Sequence, residues 1–322
     1  MKRIFLSAAL LALALATSCG GSDYESDKES NHKKKEQERE GWYYGDLYGK
    51  VERVTITSYK PMEKFGEVVK EKIISREEYK FNLNGDVVEQ CNYFSDGKLW
   101  QKTIYKYDVN DNPIEKNKYG SEGLLNNKER YECDLQGNKI KAISSGKDGS
   151  INWTITYKYD SDGNEIEECK YQTDGAPEYR ALRKYDSEGN CIEFETFRYH
   201  EFISTYEKSL CKYNSQGDLV EALEYNKDGS LKSKGLLKYN SRGKLVEGLE
   251  YDENDSLISK LVCDYDARGN MVESLQYDKE NLLEWKNSAK YDTQGNMIEI
   301  LSYKGEAEKL VSVEEREIVY RK

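Results

Sequence analysis

The chain is poor in the residues that most chemistry needs. Only 2 of its 322 residues are histidines, His32 and His200, and only 3 are prolines. No Ser/His/Asp or Cys/His set can be assembled from so few histidines. The cysteines stand singly, without the paired spacing of a zinc site. The glycines sit between strand-like segments and precede no helix, so they form no phosphate loop. Neither an enzyme, nor a bound metal, nor a cofactor is expected. After the first 19 residues no apolar run approaches the length of a membrane-spanning helix. Basic residues are also outnumbered, 49 Lys+Arg against 60 Asp+Glu, for a formal charge of −11. Removing Lys2 and Arg3 with a leader takes this to −13 (−11 − 2). An acidic chain without a basic stripe is not a nucleic-acid binder.

What the chain has is tyrosine, 27 of them, in a repeat. Position zero falls at Phe81, Tyr107, Cys133, Tyr159, Tyr185, Tyr213, Tyr239, Tyr265 and Tyr291, in steps of 26 except for one of 28. A fixed period in this range marks a repeat architecture. Glycine stands four residues later in every repeat but the second, which has Asp111. Half a period on lies a second turn, such as Asp96-Gly97 or Asp174-Gly175, degrading to Asn254-Asp255 and Glu280-Asn281. Both turns favour residues that tolerate positive φ, and the segments between them are strand-like in length and composition. Each repeat is therefore a β-hairpin.

The fold expected is all-β. Tandem 26-residue hairpins form one antiparallel meander of about twenty strands, which coils because open sheets rarely exceed about ten. A three-residue loop such as Thr173-Asp174-Gly175 sets Tyr171 opposite Pro177, Tyr225 opposite Leu231 and Tyr251 opposite Leu257. Simple alternation then puts Leu223, Tyr225, Leu231 and Tyr239 on an inward apolar face, with Lys232, Lys234 and Lys238 on the other. The same arithmetic sets Phe197 opposite Thr205 and Cys191 opposite Cys211, a candidate disulfide in a compartment that permits one.

Residues 1–18 read as a lipoprotein signal peptide, with a charged start, an apolar stretch and a small-residue end. Ala16-Thr17-Ser18-Cys19 resembles a bacterial lipobox, with Cys19 as the lipidated residue. The expected location is the bacterial outer membrane, on its periplasmic or cell-surface face, with the acyl chains as anchor. Residues 19–40 add a charged tether, residues 41–80 a divergent capping hairpin with a loop from Lys60 to Gly66, and residues 81–322 the repeats.

Glutamate recurs eight residues after position zero, from Glu89 to Glu299, with Lys141 as the exception. Copies two strands apart lie about 9.5 Å from each other, too far to share one Ca²⁺. Pairing with a neighbouring Lys is expected instead. Trp100, Trp153 and Trp285 fall on return strands and are the candidate ligand-contact aromatics.

The cores YDSDGN, YDSEGN, YDARGN and YDTQGN resemble the YD or RHS repeat of bacterial exported proteins, over nine copies and about 240 residues. With the lipobox, the chain is similar to YD-repeat lipoproteins of the Bacteroidetes. The resemblance implies a repeat sheet; larger relatives coil it around a toxin or use it to bind carbohydrate, and their toxin segments are missing here. MORN-like repeats are a second, looser resemblance. Two functions follow as expectations: a binding scaffold for a polysaccharide or an envelope protein, or a structural and assembly lipoprotein without a small-molecule site.

Overall fold

The physics of the tyrosine turn is the same from repeat to repeat. In Asp160–Asn164, Asp160 Oδ1 accepts the backbone N–H groups of Asp162 at 3.0 Å and Asn164 at 2.9 Å, while Oδ2 accepts the Asn164 side-chain amide at 3.0 Å. Gly163 completes the turn at φ 87°, a conformation that costs a side chain strain. In the repeat without glycine, Asp111 adopts φ 63°. Burial alone would raise the Asp160 carboxyl, but these hydrogen bonds outweigh it and hold it below its ordinary value.

In this computed structural model, which describes residues 47–64, 67–199 and 204–322, the regular secondary structure is twenty strands. The chain divides into two units. One comprises residues 157–286 and 305–307; the other, among the described residues, comprises 47–156, 287–304 and 308–322. The second unit opens with β1 (Val51–Lys64) and β2 (Glu67–Phe81). These strands run almost to the hairpin tip, so the loop expected from Lys60 is shorter than it reads. There follow β3 (Val87–Tyr93), β4 (Leu99–Tyr107), β5 (Pro113–Gly120), β6 (Leu125–Cys133), β7 (Lys139–Gly146) and β8 (Ile151–Tyr159). The other unit holds β9 (Glu165–Gln172), β10 (Pro177–Tyr185), β11 (Cys191–Arg198), β12 (Thr205–Tyr213), β13 (Leu219–Tyr225), β14 (Leu231–Tyr239), β15 (Leu245–Asp252), β16 (Leu257–Tyr265) and β17 (Met271–Tyr277). The last strands are β18 (Leu283–Tyr291), β19 (Met297–Lys304) and β20 (Lys309–Tyr320).

All twenty strands belong to one sheet. In the second unit β20 pairs with both β19 and β1, from Val51↔Tyr320 to Tyr59↔Val313. The strand order therefore closes as in a barrel, which corrects the expectation of an open, coiled sheet. The reason is the edges: an open meander leaves two rows of unpaired backbone groups, and joining first strand to last removes both.

The loop-closing pairs Tyr171↔Pro177, Tyr225↔Leu231 and Tyr251↔Leu257 form as expected. One residue further, each return strand bulges, and this corrects the expected faces. Leu223 lies opposite Lys234, and Lys234 opposite Tyr251, so lysine, leucine and tyrosine share a face. The buried face is narrower in chemistry. Cys211, Leu219, Ala222, Leu237, Leu245, Leu261 and Cys263 form its core, with Tyr213, Tyr239 and Tyr265 packed against them.

These tyrosines also stitch repeats together. The hydroxyl donates to a backbone carbonyl of the preceding repeat: Tyr213 to Cys191, Tyr239 to Leu219 and Tyr265 to Leu245, at 2.8–2.9 Å. On the opposite face the glutamate row pairs with lysine as expected, for example Lys80–Glu89 at 2.7 Å, Lys184–Glu193 at 3.0 Å and Lys212–Glu221 at 2.6 Å. The exception resolves into a charge swap, with Lys141 facing Glu132 at 3.7 Å.

Two measurements check this account. Tyr239→Phe and Tyr265→Phe should each lower unfolding free energy by about 1 kcal/mol, the net value of one hydrogen bond, in urea titration. Glu115 is the second case. Burial would raise its carboxyl, but hydrogen bonds from Lys106, Lys128 and Asn117 outweigh that and hold it at about 2, against an ordinary 4.5. Its contribution is therefore fully present above pH 4.5 and lost as pH falls through about 2. Glu115→Gln should flatten the loss of stability over that window; an unchanged slope would refute the depressed value.

Candidate binding surfaces

The three tryptophans do not form one platform. Trp100 and Trp153 belong to the second unit and Trp285 to the first. Trp153 and Trp285 occupy the same repeat position, six residues before Tyr159 and Tyr291, and both are half-buried; Trp153 lies opposite Ser144. Trp100 and Trp153 stand four strands apart, about 19 Å at normal strand spacing. Trp100 alone of the three is exposed, at 45%. Beside it is Phe94, 50% exposed, with ring centroids 6.4 Å apart and planes inclined at 49°.

Backbone hydrogen bonds close the turn that carries Phe94, and Trp100 follows at the start of β4. The Phe94 N–H donates to the Lys98 carbonyl at 2.8 Å, and the Gly97 N–H to the Phe94 carbonyl at 2.9 Å. Phe94 escaped the sequence reading, though a signal was there. Its turn position holds Gly120, Gly146, Gln172, Asn226, Asp252 and Asp278 in other repeats.

The first unit buries a charge cluster. Arg183, whose side chain is fully buried, hydrogen-bonds Glu165 through Nη1 and lies 3.6 Å from Glu168 through Nη2. Its guanidinium also sits 5.2 Å from the centre of the Phe194 ring. Burial opposes the charge on Arg183, but the two carboxylates prevail and strengthen its hold on the proton. Further along is a shallow open depression whose lining includes Phe194, Thr196, Ser209 and Tyr225. Lys232 crosses it to Glu207 at 3.3 Å and Glu224 at 3.5 Å. Both carboxylates pair with that ammonium, and Lys208 also lines the depression, so two acids face two bases there.

The candidate disulfide is corrected in register. The ladder of β11 and β12 runs from Glu193↔Leu210 to Arg198↔Thr205, with Phe197 opposite Tyr206, one residue off the expected pairing. It forms no cross-strand pair between Cys191 and Cys211, and both are buried free thiols. Burial, with Cys191 adding to it, pushes the Cys211 thiol up to about 12, which makes it a poor nucleophile. Among the described residues no group of His, Cys, Asp and Glu is arranged to hold a metal ion. The lipidation candidate Cys19 and both histidines lie outside the described residues.

No known protein family matches the chain, and no curated protein matches it in sequence. Among solved structures it is similar to a porin-like protein from Bacteroides uniformis, at 9% identity and a TM-score of 0.39, over 84% of this chain and 98% of that one. It is also similar to a TcdB2-TccC3 structure, at 12% identity and a TM-score of 0.29; the likeness spans 74% of this chain but only 16% of that one. A protein of unknown function from Bacteroides fragilis aligns over 48% of this chain at a TM-score of 0.12. At such scores these likenesses carry no functional argument.

The buried cluster yields a prediction. Arg183→Met should destabilise the protein by about 3–5 kcal/mol in urea titration, because two buried carboxylates lose their counter-ion. Replacing Glu165 and Glu168 with Leu in the same chain should recover most of that loss.

Proposed function

We propose that this chain is a non-enzymatic, exported lipoprotein, anchored through Cys19, whose repeat sheet is a rigid scaffold for binding carbohydrate at the β3–β4 hairpin tip. The observation that carries the reading is the exposed Phe94–Trp100 pair. Large apolar rings left in water on a hydrogen-bonded turn gain nothing for the fold, and a ring face is a surface on which a sugar ring can stack. The scaffold is anchored at the envelope by acyl chains rather than by its strands. In support, the lysine–glutamate ladder puts charge where a strand-built membrane span carries an apolar band.

A second reading, a structural or assembly lipoprotein without a small-molecule site, draws on the same ladder and on the self-paired depression around Lys232. The mature chain carrying Cys19→Ser, applied to a panel of bacterial and host polysaccharides, separates the two. Saturable binding that weakens on the order of tenfold or more in Trp100→Ala and in Phe94→Ala supports the first reading. Trp285→Ala serves as the comparison and should leave the affinity unchanged. A panel without binding favours the structural reading.

A further inference from the structure

The seam where β20 meets β1 is paired less well than the joints between repeats. Between repeats the ladder sets lysine directly opposite glutamate, as in Lys184↔Glu193, Lys212↔Glu221 and Lys238↔Glu247. Across the seam the charged residues of β20 meet neutral ones instead: Glu314↔Ser58, Glu315↔Thr57, Arg316↔Ile56 and Glu317↔Thr55. The ladder also slips between Val51 and Arg53. Arg53 stands opposite Val319, and its Nε is buried with no hydrogen-bond partner among the described residues. A buried donor left unsatisfied carries its desolvation cost in full. At the far end Lys70 bonds Glu315, but an exposed pair of this kind contributes little.

What ties the seam converges on the last tyrosine turn. Elsewhere the closing Asn of such a turn bonds the opening Asp: Asn164 to Asp160, Asn190 to Asp186 and Asn270 to Asp266, at 2.9–3.0 Å. Asn296 occupies the same place and is fully buried, yet its amide goes across the seam. Nδ2 donates to the Tyr48 carbonyl at 2.9 Å and to the Tyr320 hydroxyl at 2.6 Å. Oδ1 accepts the Tyr48 N–H at 2.6 Å. Asp292 Oδ2 takes the Tyr320 hydroxyl proton as its hydrogen bond instead of the Asn amide. Burial and that carboxylate push the hydroxyl up to about 12, so Tyr320 stays a donor. Arg321 then donates its N–H to the Lys50 carbonyl at 2.8 Å and its guanidinium to the Phe81 and Asn82 carbonyls of the first tyrosine turn.

We propose that the β1–β20 seam is a gate, and that Asn296, Tyr320 and Arg321 form the clasp that keeps it shut. The clasp ties three distant parts of the chain, residues 48–50, 81–82 and 292–296, at one end of the seam. Opening hydrates the stranded Arg53 nitrogen and breaks no lysine–glutamate pair of the β1–β20 ladder. The strands β3 to β7 keep both of their neighbours when the seam parts, so the opening is local.

Amide hydrogen exchange on the mature chain carrying Cys19→Ser tests this. Asn296→Ala and Arg321→Gln should each speed exchange in residues 51–59 and 313–320 by about tenfold or more, with less than about a twofold change in β4 to β6. Arg53→Met, which removes the stranded donor, should slow exchange at the seam. Asn190→Ala, the same substitution in an internal turn, should leave the seam as it is. Arg321 is not fully buried, so its variant keeps the test open if loss of the buried Asn296 prevents folding. Unchanged seam exchange in the clasp variants overturns the proposal. So does an acceleration spread evenly over all strands, or an equal effect of Asn190→Ala on the seam.

Discussion

The bond on which the repeat array depends joins a tyrosine hydroxyl to a backbone carbonyl about one repeat earlier. A bulge frees that carbonyl from the strand ladder, and a buried carbonyl without a donor is costly. Tyr107 satisfies Val87, Tyr185 satisfies Glu165, and Tyr239 satisfies Leu219. The rings of Tyr213, Tyr239 and Tyr265 pack against the core while their hydroxyls reach the preceding hairpin. A hairpin alone would leave both needs unmet, so each repeat depends on its neighbour for completion.

What the repeats share is a set of pairings rather than a set of residues. Asp108 with Asn112 and Asp160 with Asn164 place the carboxylate first, whereas Asn82 with Asp86 and Asn214 with Asp218 place it second. The amide–carboxylate bond survives both orders. The ion-pair ladder behaves likewise, with Glu132 and Lys141 inverting the usual Lys and Glu. Exposed pairs of this kind contribute little stability individually. Their effect is on register: a one-residue slip sets Lys184 or Lys212 opposite an apolar neighbour of its glutamate and breaks the pair.

Period and turn chemistry made the hairpins legible from sequence, because glycine and aspartate at fixed intervals have few other uses. The loop-closing pairs, the strand count and the Lys–Glu pairing followed from them. The bulge was not legible. Nothing distinguishes Lys232 from a regular strand residue, yet the extra residue there turns Leu223 toward Lys234. The same one-residue offset separates Cys191 from the partner that simple counting assigns to it. Closure was hidden for another reason. It depends on β1 meeting β20 across some 250 residues, and no local pattern encodes that pairing. At the candidate site, Trp100 was visible as a residue type, but its partner Phe94 required knowing that a turn position usually held by Gly or a polar residue had become aromatic.

A sheet whose first strand pairs with its last must count its strands. Solenoids grow or shrink by whole repeats, since each new unit stacks on an open end. Here the ends are already spoken for by Val51↔Tyr320 and its neighbours. Inserting one 26-residue hairpin would add two strands between ends that are already paired. Duplication, the ordinary way a tandem array diversifies, has no open end to extend here. Variation is diverted into the turns, where single positions such as Asp111 and Phe94 already depart from their counterparts.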